Sequence, residues 1–146
     1  MKIRIKKLHE DAVIPKYAHK GDSGFDFYAI EDLDLAAGQT RLVRTGLAIS
    51  VGDGYELQVR PRSGLSLKTP LRVANSPGTV DSSFSGEICV IMSLVPNSAG
   101  TIGYKIRKGD RIAQGVVCPV VQADIEVVDY LDETDRGQNG FGSSGV

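Results

Sequence analysis

A chain of 146 residues, 41% of them hydrophobic, is the right size for one domain with a continuous core. Its 17 Lys and Arg against 18 Asp and Glu leave a net charge of −1, without the basic surplus that a nucleic-acid partner demands. No apolar run approaches the roughly 20 residues of a membrane-spanning helix. The basic start "MKIRIKKLHED" has no apolar stretch behind it, so no membrane partner and no secretory leader is expected, and the expected compartment is the cytoplasm.

The apolar pattern runs with period two or in short continuous stretches, broken by Gly, Pro, Asp and Asn. In chain order the predicted strands are "KIRIKKL", "FDFYA", "RLVRTGLAIS", "YELQVR", "LRVAN", "EICVIMSLV", "TIGYKIR", "RIAQGVVCPVV" and "ADIEVVDY". "YELQVR" places Tyr55, Leu57 and Val59 on one face and Glu56, Gln58 and Arg60 on the other. "EICVIMSLV" and "RIAQGVVCPVV" are apolar on both faces, as in a sandwich interior or a subunit interface. Only Ser63–Thr69, "SGLSLKT", suits a short helix. The predicted class is all-β, a jelly-roll-like sandwich or barrel with at most one short helix. Cys89 and Cys118 lie in apolar strands and are expected to be buried free thiols in a reducing compartment. After Asp129-Tyr130-Leu131 the chain turns polar and glycine-rich, which predicts a core over 1–131 and a mobile arm over 132–146.

Several turns carry unusual chemistry. "PRSGLS" combines a cation (Arg62), a hydroxyl (Ser63) and an amide freed by Gly64 just before the short helix. That set suits an anion such as phosphate, and equally an ordinary polar turn capping a helix. "NSPGTVDSSFSG" reads as a hairpin beside a single acid. Asn75 and the backbone there suit the edge of a flat polar ring, and Asp81 suits proton abstraction from water or a turn bonding to its own backbone. Phe84 reads as ligand platform or as core. "KGDRIAQG" offers Arg111 and Gln114 for polar work or as a charged surface turn. Asp26, between two aromatics in "GFDFYA", needs a cationic or N–H partner if buried, and is read as support behind a site. His9 and His19 stand outside any metal-ligand or triad spacing.

In order and spacing these segments, "SGFDFYA", "PRSGLS", "NSPGTVDSSFSG", "KGDRIAQ" and "RGQNGFGSSG", resemble the motifs of the trimeric dUTPases, the dUTP diphosphatases. The resemblance spans Ser23 to Gly145. It implies a jelly-roll homotrimer with dUTP as substrate and active sites at subunit interfaces, each closed by a neighbour's C-terminal arm. It implies Mg²⁺-dependent hydrolysis of dUTP to dUMP and pyrophosphate, which keeps uracil out of DNA and supplies dUMP for thymidylate synthesis. By match to the motifs, Asp81 is the general base. Arg62, Ser63, Gly64 and Gln114 hold phosphates. Asn75 and the backbone of Gly78, Thr79 and Val80 recognise uracil, and Phe84 lies against the deoxyribose. Arg136, Phe141, Gly142 and Ser143 close over the nucleotide. The metal is implied to ride on substrate phosphates and water, with no direct protein ligand. The chain departs from many relatives in having Phe84 for a Tyr and Ser83 for an Asp.

Two other readings compete with this one. A dCTP deaminase of the same superfamily would carry a Glu about where Ile91 stands and would lack the arm. A non-catalytic trimeric β-sandwich module would bind a protein partner through the arm, which the intact Asp81 and phosphate set argue against.

Overall fold

The computed structural model describes residues 1–96 and 100–139. The period-two stretches become β1 (Arg4–Lys7), β2 (Phe25–Tyr28), β3 (Leu33–Ala36), β4 (Thr40–Ser50) and β5 (Tyr55–Arg60). After helix α1 (Ser63–Lys68) come β6 (Leu71–Val73), β7 (Gly78–Val80), β8 (Ile88–Leu94), β9 (Gly103–Ile106) and β10 (Arg111–Pro119). One antiparallel sheet has the order β1-β4-β8-β6, a second has β2-β10-β5-β7, and β3 pairs with β9. From β4 to β8 successive strands alternate between the two larger sheets, leaving out the helix. This crossing connectivity is how a jelly-roll-like sandwich ties its two layers together. The all-β expectation and the single short helix are therefore met.

Alternation decides what is buried. Ile88, Val90, Met92 and Leu94 of β8 point inward and meet Phe27, Leu57 and Val59 of the opposite sheet in one core. Phe25 and Phe27 of β2 meet edge to face, at 5.7 Å between ring centroids. A Cβ at Gly115 of the neighbouring β10 would lie 2.6 Å from the Phe25 ring, so only glycine leaves room for both aromatics. Thr45 is buried, and its hydroxyl donates to the Ile88 carbonyl at 2.5 Å.

Four local readings need correction. Of the two settings expected for β8, a sandwich interior or a subunit interface, the first does not hold within one chain: β8 buries one face, and Cys89, Ile91 and Ser93 form its half-exposed outer row. Cys89 and Cys118 are free, as expected, but half-buried for the same reason. β3 escaped the sequence reading because its "LDLA" mixes two apolar residues with an acid that strands disfavour. No strand forms over 123–130. Within the chain the sheets end at Pro119, and the following residues to 139 are exposed. That segment keeps a strand's alternation: Val121, Ile125, Val127 and Leu131 share one parity, and Ile125 and Val127 are 93% and 94% exposed. It has the pattern of a strand but no sheet within its own chain.

Candidate active site

The Asn75–Phe84 segment is shaped chiefly by its backbone. β6 hands over to the turn at Ala74, whose amide donates to the Ile91 carbonyl at 2.8 Å. The Ser76–Pro77 peptide is cis. β7 then runs antiparallel to β5, with Gly78 opposite Val59 and Val80 opposite Leu57. Gly78 is buried, and a Cβ there would sit 3.0 Å from Asn75 Nδ2, so its lack of a side chain lets the Asn75 amide fold down onto β7. A turn follows, closed by the Phe84 amide on the Asp81 carbonyl at 3.1 Å.

Glu87 fixes the far end of this loop. Its carboxylate accepts from Gly46 N at 2.8 Å and from Arg44 Nε at 3.1 Å, at the irregularity where β4 shifts register against β8. Glu87, by hydrogen bond and then by charge, also raises the Arg44 guanidinium above its usual value. Sequence reasoning missed Glu87. Its only trace in the sequence is a lone carboxylate between a glycine and an apolar run.

Asn75, Gly78, Thr79, Val80, Asp81 and Phe84 together line a cavity of about 330 Å³. Leu42 and Ile91, Cα partners across β4 and β8, form its apolar wall. Where a deaminase would need Glu, the cavity is therefore lined by Ile91. Cys89 also faces it, and burial, then the nearby Glu87 charge, push its thiol up. The exposed Asp81 carboxylate takes part in no hydrogen bond or ion pair among the described residues.

A second cluster sits at the other end of β5. Across the outer face of one sheet, Asp26 of β2 lies opposite Gln114 of β10, which lies opposite Arg60 of β5. Asp26 finds the partners that its place between two aromatics demanded: it accepts from Arg62 Nε at 2.7 Å and from Arg111 Nη1 at 3.3 Å. Gln114 Nε2 donates to the Pro61 carbonyl at 2.8 Å, bracing the turn that carries Arg62. A Cβ at Gly24 would come 2.7 Å from Gln114 Oε1, so glycine there clears space for that side chain. Arg62 is the extended N-cap of α1, followed by the exposed Ser63 and Gly64. A Cβ at Gly64 would meet nothing, and its φ is not in the left-handed region, so neither packing nor backbone geometry calls for glycine.

Within one chain the two clusters do not meet. The walls of the Asp81 cavity include none of Arg62, Ser63, Gly64 or Gln114. The register explains why: Val80 pairs with Leu57 near the start of β5, while Arg62 lies beyond its end. Strand rise over the six residues from the level of Asp81 to Arg62 puts these two residues roughly 20 Å apart along the sheet. Arg136 lies in the exposed segment, where its Nε donates to the Asn139 carbonyl at 2.8 Å. Phe141, Gly142 and Ser143 fall outside the described residues. Among the described residues no cluster of three or more His, Cys, Asp or Glu could hold a metal ion, and no helix is long and apolar enough to cross a membrane.

Comparison with known proteins bears on this arrangement. The dUTPase family model matches residues 10–145. The deoxyuridine 5'-triphosphate nucleotidohydrolase of Picosynechococcus sp. is 50% identical over 146 residues, covering 100% of both chains. That of Wolinella succinogenes is 51% identical over 145 residues, covering 99% of this chain and 95% of the relative. Among solved structures, a mutant of the Staphylococcus bacteriophage 80alpha dUTPase with dUpNHpp superposes with a TM-score of 0.92 at 27% identity, covering 99% of each chain. With its motifs, its sandwich and these relatives in agreement over nearly its whole length, the chain belongs to the dUTPase family.

Proposed function

We propose that the protein hydrolyses dUTP to dUMP and pyrophosphate, with Asp81 as general base. The observation that carries this reading is an unpaired carboxylate at the wall of a cavity shaped by Asn75, the Gly78–Val80 backbone and Phe84. Uracil would enter edge-on, pairing its polar edge with Asn75 and the β7 backbone. Cytosine would leave those groups unpaired, and a site built this way discriminates by up to roughly 10⁴-fold or more. Phe84 would lie against the deoxyribose.

The water would attack the α-phosphorus in line. Asp81 would take its proton, the bond from the α-phosphorus to the bridging oxygen would break, and pyrophosphate would leave. A positioned base of this kind contributes on the order of 10²–10⁴-fold. Charge stabilisation would come from Arg62, with the Ser63 hydroxyl, the open Gly64 amide and Gln114 completing the phosphate cradle. The empty space above Gly64 supports that assignment, since any side chain would fill the approach to the amide. Asp26 would act behind Arg62, aiming its guanidinium.

The donor set fits a Mg²⁺ ion that arrives with the substrate: Asp26 is committed to two arginines, and Asp81 is free to accept from a metal-held water. Substrate phosphates and water would hold the ion, which would neutralise phosphate charge when bound.

Because Asp81 and Arg62 stand roughly 20 Å apart along β5 in one chain, the complete site would be built between copies of it in a homotrimer. The exposed apolar row Val121, Ile125, Val127 and Leu131 supports this, as a surface that a neighbouring copy would cover. Residues 1–131 would then form the assembled catalytic unit, and 132–146 an arm whose Arg136, Phe141, Gly142 and Ser143 close a neighbour's site. A cytoplasmic role in removing dUTP and supplying dUMP for thymidylate synthesis follows from the same reading.

The test is a panel of dUTP, dCTP, dTTP and UTP with Mg²⁺ and product analysis. We expect dUMP and pyrophosphate from dUTP and little turnover of the others. Ammonia released from dCTP, or no pyrophosphate from micromolar dUTP, would overturn the proposal.

A further inference from the structure

We propose that Gly86 is a specificity-determining position: it is the seat of the Phe84 ring, and its missing side chain sets how closely that ring approaches the sugar. The inference rests on the reading that Phe84 faces the deoxyribose.

Gly86 is not among the glycines with a left-handed φ, so backbone conformation does not call for glycine there. Packing does. A Cβ at this position would lie 2.6 Å from Phe84 Cζ, 3.1 Å from Cε2 and 3.3 Å from Cε1, and those are the three nearest atoms. The first distance is far inside ordinary carbon–carbon contact of about 3.5–4.0 Å. What the absent side chain makes room for is this one ring.

The ring has little else to hold it. Phe84 is 46% exposed and, among the described residues, belongs to neither of the edge-to-face pairs, which join Tyr17, Phe25 and Phe27. It stands between two hollows. On one side is the cavity shared with Asn75 and Asp81; on the other a groove of about 390 Å³ runs along Arg4, Ile5 and Lys6 of β1. Phe84 is thus a partition, and its position fixes the boundary of the nucleotide cavity.

A Cβ at Gly86 would displace the ring more readily than the backbone. The loop is anchored before Phe84 by the Phe84 amide on the Asp81 carbonyl, and after Gly86 by Glu87 on Gly46 and Arg44. The ring is the freer of the two and would shift by about 1 Å to restore normal contact. Apolar walls reject an added hydroxyl by only about 10² at best, so a shift of that size in the wall is large enough to change the discrimination against a ribose 2′-hydroxyl.

The experiment compares kcat/KM for dUTP and UTP in the intact protein, Gly86→Ala, Phe84→Leu and the double variant, with thermal unfolding of each. Leucine is too short to reach Gly86, so the double variant relieves the clash and remains informative even where Gly86→Ala by itself folds poorly. We expect Gly86→Ala to change the dUTP-to-UTP ratio about tenfold, and to change it no further once Phe84 is leucine. A wild-type ratio in Gly86→Ala beside a reduced ratio in Phe84→Leu would sink the seat while leaving the role of Phe84 standing. An additional loss from Gly86→Ala in the Phe84→Leu background would show that Gly86 acts other than through the ring, and would overturn the inference. An unchanged ratio in Phe84→Leu would overturn the reading of Phe84 itself, and the inference with it.

Discussion

In the Asn75–Phe84 cavity, shape is carried by backbone and by glycines, and the carboxylate of Asp81, the proposed base, is left unpaired among the described residues. In the Asp26 cluster at the other end of β5, the charged groups are already bonded to one another, Asp26 to Arg62 and Arg111. The contrast separates two tasks. A base must present a free lone pair to water, so it cannot be occupied by a neighbour. An arginine with the proposed task of binding phosphate must keep its aim while empty, and a carboxylate partner such as Asp26 would hold it. The cost of altering a residue should therefore depend on which half it occupies.

The largest effect is expected at Asp81. Asp81→Asn should lower kcat by about 10²–10⁴-fold while a non-hydrolysable dUTP analogue still binds. Its unfolding free energy should stay within about 0.5 kcal/mol of the parent, since no structural bond is lost. A matching loss of stability would mean that Asp81 holds its turn together, and would erase the distinction between the halves.

A mixing experiment addresses the roughly 20 Å between those halves. Asp81→Asn and Arg62→Ala chains, each nearly inactive, are unfolded together, refolded and assayed. If complete sites draw the hairpin from one chain and the arginine turn from another, activity should rise at least about tenfold above either parent, toward the 10²-fold or greater loss that removal of a base imposes. No recovery, with mixed assemblies shown by mass spectrometry, would place both halves of each site in a single chain.

The smallest effect is expected at Asp26. Asp26→Asn retains one acceptor but removes the charge that steadies Arg62 and Arg111. It should raise KM for dUTP about tenfold and lower stability by about 1–2 kcal/mol, because the group is only partly exposed. A change in kcat with KM unaltered would instead connect Asp26 to the reacting atoms.

How far the sequence could be read depended on whether the relevant contact was local. The alternation in "YELQVR" specified β5, and the aromatic pair flanking Asp26 specified both β2 and the need for a cationic partner. The identity of that partner was not readable, because Arg62 and Arg111 are brought to Asp26 by the register of β10 against its two neighbours. The motif residues were legible one by one, but not that Asp81 and Arg62 stand apart; the antiparallel pairing of β7 with β5 decides that. Glu87 was invisible for a similar reason, since its partners lie across the sheet on β4. The strand pattern over 123–130 is real as chemistry, with apolar residues alternating, yet a strand requires a pairing partner and among the described residues the segment takes none.

That last segment bears on how the protein comes to be active. The sandwich closes its core without residues 120–139, so its folding is an event internal to one chain and independent of concentration. Seating the apolar row of Val121, Ile125, Val127 and Leu131 on another copy, as the proposed trimer requires, would be a collision between chains. Refolding followed by far-UV circular dichroism and by recovered turnover should therefore separate in time on dilution. The first signal keeps its rate, while the second slows as the chains take longer to find each other.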